Sequence, residues 1–180
     1  MRESRAPSFT AHPCVILAVD PGAKSGWAIF DRGRYVTSGV ATRSLGRKVA
    51  IDSATDQAKM SGLPLVIVAE KWTAGGLHAN PATMAGLGAA WGMWAEAIEE
   101  AGIPKARIVR VFPQTWRAAI LQPRRGTKSE VLKAMSVVRA QAITGMADVN
   151  HDEADAVCIG LWATKAAVVA AKIPKRRRAA

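Results

Sequence analysis

The chain has 180 residues, of which 49% are hydrophobic and 22% are charged. This length suits one globular unit with a well-buried core and excludes two large domains. The formal charge of +11, from 25 lysines and arginines against 14 acids, favours a polyanionic partner, nucleic acid before any other. The alternative is a basic protein whose charge serves only solubility.

Cysteine usage and the lack of targeting segments indicate the compartment. Cys14 and Cys158 lie in apolar segments without CxxC spacing, which predicts reduced core thiols. The N-terminus is polar and basic, unlike a signal peptide, and charged residues interrupt the longest apolar stretch, so no membrane span is predicted. We expect a cytoplasmic protein of a bacterium or a phage-infected cell; an organellar or nuclear location stays open.

The chain is expected to begin with a disordered basic arm, residues 1–12, followed by one domain over residues 13–171. Three strands are predicted first, at residues 14–20, 26–31 and 34–41. They should form an antiparallel meander, because Arg32-Gly33 is typical of a tight two-residue turn.

Asp20 ends the first apolar run and precedes Pro21-Gly22. Pro21 fixes its own φ, and Gly22 and Gly26 permit positive φ, so the backbone is expected to turn just after Asp20. A carboxylate at a buried strand end is costly unless it is paired or holds a metal ion. Taken alone, Asp-Pro-Gly is more often an ordinary turn.

A second apolar strand also ends in an acid. After a helix over residues 45–60, which Gly62 should close, the apolar run 65–69 leads into Glu70. Lys71 and Trp72 then begin a loop that contains glycines. The repetition of a strand-end carboxylate favours a functional site over two unrelated turns.

A long helix is predicted from Pro81 to about Ala101, with Gly102 as its C-terminal stop. Its heavy apolar residues share one stripe, which includes Trp91 and Trp94. Its glycines cost helix propensity, about 1 kcal/mol each, and predict close approach by another backbone. Packing on the sheet must explain part of this helix; a shared dimer surface with the tryptophans as anchors is the alternative for the rest. The glycines are Gly86, Gly88 and Gly92.

A fourth apolar strand is expected at residues 107–111, a short helix should begin at Pro113, and a basic turn follows at Arg124-Arg125. Thr127-Lys128-Ser129-Glu130 has the spacing of a capping box, which would place Lys128 in the first turn of the next helix. A lysine beside free backbone N–H groups suits a phosphate, although an exposed lysine at a helix start is common.

The last informative segment, residues 150–162, is predicted to begin a helix. Asp152 and Asp155, three residues apart, share one face of its first turn. Acids at a helix start are often only caps. Together with Asp20 and Glu70, however, they supply four carboxylates on rigid elements, a donor set that suits Mg²⁺ or Mn²⁺.

The tail, residues 172–180, is expected to be a disordered basic arm that contacts phosphates without reading bases. Its cations, with those near the carboxylates and one tryptophan, form the predicted nucleic-acid-binding set. That set is Lys24, Lys71, Trp72, Arg117, Arg124, Arg125, Lys128, Lys175, Arg176, Arg177 and Arg178.

The order strand-Asp-Pro-Gly, strand-Glu and helix Asp-x-x-Asp resembles the RuvC-type Holliday junction resolvases of the RNase H-like superfamily. The resemblance spans residues 14–163 and is closer to the phage and organellar branches. It implies an α/β fold with a central mixed five-stranded sheet, three antiparallel strands plus parallel ones, flanked by helices. It also implies that Asp20, Glu70, Asp152 and Asp155 are the metal-binding catalytic acids, that Lys128 is a catalytic or phosphate contact, and that His151 is a possible further ligand.

The resemblance implies a magnesium- or manganese-dependent endonuclease with two ions per site, which resolves four-way junctions by paired symmetric nicks. The two-fold symmetry of a junction calls for a homodimer, and helix 81–101 is the candidate interface. An RNase H-like nuclease acting on RNA or other branched nucleic acid remains an alternative, as does a non-catalytic junction-binding protein. A sugar-kinase or actin-like ATPase needs two such domains, which 180 residues cannot supply.

Overall fold

The computed structural model describes residues 13–71 and 80–166, together with Val169 and Lys172. Its strands are β1 (Val15–Asp20), β2 (Ser25–Asp31), β3 (Arg34–Ala41), β4 (Leu65–Glu70) and β5 (Ile108–Val111). Its α-helices are α1 (Ser44–Ser61), α2 (Pro81–Glu100), α3 (Pro113–Ile120), α4 (Ser129–Thr144) and α5 (His151–Ala163). The predicted basic arm 1–12, and the tail apart from Lys172, lie outside the described residues.

The strands form one mixed sheet in the order β3-β2-β1-β4-β5. β1, β2 and β3 are antiparallel neighbours, whereas β4 pairs in parallel with β1 and β5 in parallel with β4. Helix α1 makes the crossover from the meander to β4. The expected α/β architecture, a five-stranded mixed sheet flanked by helices, is confirmed.

Both faces of the sheet are covered, which explains why β1 and β4 are apolar without alternation. Ile16 and Ala18 belong to the core beneath α5, whereas Leu17 and Val19 belong to the core beneath α1 and α2. Within the described ranges, no helix is long and apolar enough to cross a bilayer. Cys14 and Cys158 are free and buried, as predicted.

Two predicted turn positions and one helix end have the expected backbone. Arg32 and Gly33 both have positive φ, 47° and 79°, in the two-residue link between β2 and β3. Gly62 adopts φ 62° and donates to carbonyls of the last turn of α1. Glycine adopts left-handed backbone at little cost, which suits Gly33 and Gly62, whereas Arg32 adopts it as the first residue of the tight turn.

The capping-box prediction at Thr127 is wrong. Helix α4 begins at Ser129, so Lys128 is itself the N-cap residue, and no side chain caps this end. The Thr127 hydroxyl instead donates to the carbonyl of Arg124, 2.6 Å away. The local turn competes with the cap for the same hydroxyl, and the turn is formed.

The apolar stripe of α2 faces this chain's own sheet. Trp94 and Ile98 are fully buried, and Trp91 is partly buried with the Arg110 guanidinium 3.7 Å from its ring centroid. The three glycines lie on exposed backbone, where an added Cβ would meet nothing within 4 Å. Trp94 therefore cannot anchor a dimer, which corrects that part of the prediction, and Trp91 packs partly against the same core. A dimer through α2 remains a prediction for its small-residue face.

Candidate active site

The strand-end acids meet at one edge of the sheet. β1 and β4 are parallel neighbours with Val19 opposite Ala69, so the next residues, Asp20 and Glu70, end the two strands side by side. Side chains alternate along a strand, and Val19 and Ala69 face α1. Asp20 and Glu70 consequently point to the face that α5 covers.

The chain turns after Asp20 as predicted, and neither Gly22 nor Gly26 uses the positive φ that glycine permits. The buried hydroxyl of Ser25 closes the turn: it donates to the Gly22 carbonyl at 2.8 Å and accepts from the Gly22 N–H at 3.2 Å. Gly26 serves another purpose. It pairs with Asp20 across β1 and β2, and a Cβ there would lie 1.8 Å from the backbone oxygen of Asp152.

This close approach brings the first turn of α5 to the strand ends. The Asn150 side chain caps α5 by accepting from the Asp152 N–H at 2.9 Å. Asp152 and Asp155 are largely buried, with side chains 21% and 13% exposed. Glu153, between them, points elsewhere: it is buried and accepts a hydrogen bond from the Ser38 hydroxyl at 2.5 Å.

The four acids share one electrostatic environment. Burial raises the pKa of Asp20 well above its usual range, and the charges of Glu70, Asp155 and Asp152 raise it further. Burial also raises the pKa of Glu70 and of Asp155, and each of these acids is raised further by a neighbouring aspartate. Carboxylates whose negative charge is this poorly compensated create a strong demand for a cation.

Arg117 partly meets that demand. Its guanidinium lies 3.5 Å from the Asp155 carboxylate and lowers the pKa of Asp20, Glu70 and Asp155 against the larger effect of burial. His151 lies at the rim, half exposed, with Nδ1 2.9 Å from an Asp152 oxygen. Arg117 was predicted only as a nucleic-acid contact; the structure adds a contact within the acid cluster.

Trp116 is a functional candidate that the sequence analysis missed. Its indole N–H donates to Glu70 Oε2 at 2.7 Å, and its side chain is fully buried. Arg110 donates to the Glu70 backbone carbonyl at 3.0 Å. Both ends of Glu70 are thereby oriented from β5 and α3. The available signal was a tryptophan three residues after the helix-starting Pro113.

The donor set suits Mg²⁺ or Mn²⁺ in kind, since it is all oxygen and bears excess negative charge. Across residues 13–71 and 80–166, however, no three His, Cys, Asp or Glu side chains adopt metal-ligating spacing. The Arg117 guanidinium beside Asp155 already neutralises part of the cluster. The four acids therefore fit the ion by the chemistry of their oxygen donors.

The other predicted contacts fall into two groups. Five cations are exposed in the loops or at helix ends near this edge and near α3 and α4: Lys24, Lys71, Arg124, Arg125 and Lys128. Lys128 occupies the N-cap position of α4 and is not among the groups that contact or perturb the acids. The remaining predicted contacts lie outside the described residues: Trp72, Lys175, Arg176, Arg177 and Arg178.

No protein-family model and no curated protein sequence matches the chain. Among solved structures, it is similar to RuvC of Thermus thermophilus in complex with a Holliday junction substrate, with a TM-score of 0.59 and 18% identity over 84% of this chain and 93% of that one. A second structure of Thermus thermophilus RuvC gives a TM-score of 0.50 and 18% identity over 82% and 91% of the two chains. The chain has the RNase H-like fold of the RuvC resolvases.

Proposed function

We propose that the chain is a structure-selective, metal-dependent endonuclease that resolves four-way DNA junctions by paired nicks. The observation that carries this proposal is the convergence of acids from β1, β4 and α5 on one sheet edge, with pKa values raised by burial and mutual repulsion. The likeness to a RuvC in complex with its junction and the formal charge of +11 support the choice of substrate.

Asp20, Glu70, Asp152 and Asp155 would hold two Mg²⁺ or Mn²⁺ ions, with His151 as a further candidate ligand. Such ions activate water and neutralise charge on a phosphodiester. The chain itself fixes the ligands. Asp20 and Glu70 stand on neighbouring central strands, whereas Asp152 and Asp155 stand on a helix held against Gly26.

The basic residues around these acids would position the DNA. Arg117 lies beside Asp155 and is about one-third exposed, so it can reach a phosphate that enters the site. Lys24 stands in the turn after Asp20, and Lys71 follows Glu70 directly. We assign to Lys128 a phosphate contact at the N-terminus of α4, where backbone N–H groups are uncapped.

A junction has two-fold symmetry, and one site cuts one strand, so paired nicks call for two copies of the chain. The exposed side of α2 on which Gly88 and Gly92 lie four residues apart is our candidate for the interface. Added side chains would meet nothing there within one copy, which leaves room for the backbone of a partner.

A substrate panel tests the proposal. The protein with Mg²⁺ is incubated with a four-way junction, a flap, a linear duplex and an RNA–DNA hybrid. We expect symmetric nicks in the junction and little cleavage of the duplex. Preferential cleavage of the hybrid would instead identify a ribonuclease, and tight junction binding without cleavage would identify a non-catalytic junction-binding protein.

Trp116→Phe should lower the affinity of the site for Mg²⁺, because it removes the N–H group that donates to Glu70. Loss of a hydrogen bond that orients a metal ligand typically costs about 10- to 100-fold in metal affinity or activity. We expect the Mg²⁺ concentration for half-maximal cleavage to rise by that order. A titration of cleavage rate against Mg²⁺ measures it.

Trp94→Phe is the matched control for this substitution. Trp94 is also fully buried, but its indole N–H has no partner among the described residues, and it lies on the opposite face of the sheet. The Trp94→Phe variant should lose stability, because the side-chain volume changes by the same amount. Its Mg²⁺ concentration for half-maximal cleavage should equal that of the native protein. Equal Mg²⁺ curves for the two variants would show that Trp116 only fills space.

A further inference from the structure

A cavity of about 690 Å³ lies between the N-terminus of α1 and helix α2, outside the acid cluster. β3 runs antiparallel to β2, and Ala41 at its end pairs with Ser25, so α1 starts at the same sheet edge as the acids. The cavity also includes Ala23, which lies in the turn after Asp20. It therefore adjoins the candidate active site across the β1–β2 turn.

The first backbone N–H groups of α1 are not capped by any side chain. Its N-cap residue is Arg43, which has extended backbone and no acceptor atom in its side chain, and its first turn contains no acid. In the described part of the chain, the N–H groups of Ser44, Leu45 and Gly46 have no hydrogen-bond acceptor. Three free N–H groups at the positive end of a helix favour an anion.

Arg47 supplies an independent observation at the same place. It lines the cavity yet is only 3% exposed, and its Nε is inaccessible. Its side chain makes no hydrogen bond or ion pair with any described residue. The guanidinium therefore keeps unpaired N–H donors, and an anion in the cavity would accept from them.

The other charges around the cavity are mixed. Lys48 lines it and pairs with Asp52 one turn later, at 3.3 Å. Glu96 and Glu100 stand on the α2 wall, and both are exposed. Neither glutamate forms an ion pair with Arg47, so the buried cation is left for a ligand rather than for this wall.

We propose that this cavity is a phosphate-binding subsite that holds a backbone phosphate of the nucleic-acid substrate, on the far side of the β1–β2 turn from the acids. The Arg47 guanidinium and the N–H groups of α1 bind the phosphate oxygens, and Arg43 adds charge at the mouth. The assignment to nucleic acid rather than to free phosphate rests on the proposed function, because the subsite and the acids share one edge.

Arg43→Asp tests the subsite, because it separates stability from binding. Aspartate at an N-cap accepts from the free N–H groups, so the thermal midpoint should rise. The same carboxylate repels a phosphate, so affinity for DNA without divalent metal should fall. Arg34→Asp is the matched control: it makes the same charge change at an exposed position at the other end of β3, a strand roughly 23 Å long.

We expect Arg43→Asp to bind duplex and junction DNA about tenfold more weakly than Arg34→Asp. The slope of log affinity against log salt should also be lower by about 0.9, the share of one phosphate. Arg47→Met, compared with Arg34→Met, should show the same loss. Equal affinities and slopes within each pair would overturn the subsite.

Three outcomes separate this proposal from the proposed function. Junction cleavage with equal binding by Arg43→Asp and Arg34→Asp overturns the subsite alone. Weaker DNA binding by Arg43→Asp in a protein that cuts no junction supports the subsite and removes the nuclease. Inorganic phosphate that stabilises the native protein but not Arg47→Met, while both variant pairs bind DNA equally, identifies a free-phosphate site and overturns the nucleic-acid assignment.

Discussion

Each change of a clustered carboxylate to its amide is expected to lower Mg²⁺-dependent junction cleavage by about 10²-fold or more. The changes are Asp20→Asn, Glu70→Gln, Asp152→Asn and Asp155→Asn. Each keeps the size of the side chain and removes a charge that would hold an ion. Binding to a junction without metal should survive or tighten, because less negative charge faces the phosphates.

The raised pKa values add a readout that needs no nuclease assay. A carboxyl whose pKa is higher in the folded protein than in the unfolded chain binds more protons when folded. Its contribution to stability is present below the unfolded pKa and is lost as pH rises through the folded pKa. The metal-free protein should therefore lose stability as pH increases from the acid side, and Asp20→Asn should flatten that dependence.

Asp56→Asn is the control for the amide series. Asp56 is two-thirds exposed on α1, and among the described residues it pairs only with Lys59. Its replacement should change neither cleavage nor the pH profile of stability. Full cleavage by purified, folded Asp20→Asn would contradict the assignment of Asp20. A metal-free pH profile of stability that is unchanged from the native protein would contradict the role given to burial of Asp20.

Gly26→Ala is expected to remove cleavage without touching any acid. The new methyl group would overlap the Asp152 backbone oxygen, so α5 must shift away from β2 and carry Asp152 and Asp155 with it. Overpacking of this kind costs about 1–3 kcal/mol of stability. Urea unfolding measures the stability, and the cleavage rate of the folded fraction measures the displaced acids.

Gly22→Ala is the control within the same turn. Gly22 does not have positive φ, and an added Cβ would lie 3.1 Å from the Lys24 carbonyl, a tight contact inside an exposed turn. It should retain cleavage with a smaller loss of stability. If both alanine variants lose cleavage activity equally, the activity depends on the flexibility of the turn. The close approach of α5 to Gly26 is then not what positions the acids.

The amino-acid sequence by itself determined the elements and two of the site positions. Unbroken apolar runs at β1 and β4 predict central strands covered on both faces, and an acid directly after each run falls at a strand end. The structure adds that these two strands are parallel neighbours, which brings Asp20 and Glu70 to one edge. The link from these acids to α5 came from resemblance to a known family rather than from periodicity.

Only the tertiary structure decided which partner each residue has. Trp116 donates to Glu70, 46 positions away in the sequence. Gly26 lies against the backbone of Asp152, where a side chain would not fit. Trp94 is buried in the core, whereas the glycines of α2 are exposed. The spacing of apolar residues along the sequence indicates a strand or a helix, because each element buries one face at its own repeat. Contacts between distant segments depend on how the layers pack, and a glycine or tryptophan has the same local signature whether it meets a backbone, a carboxylate or open space.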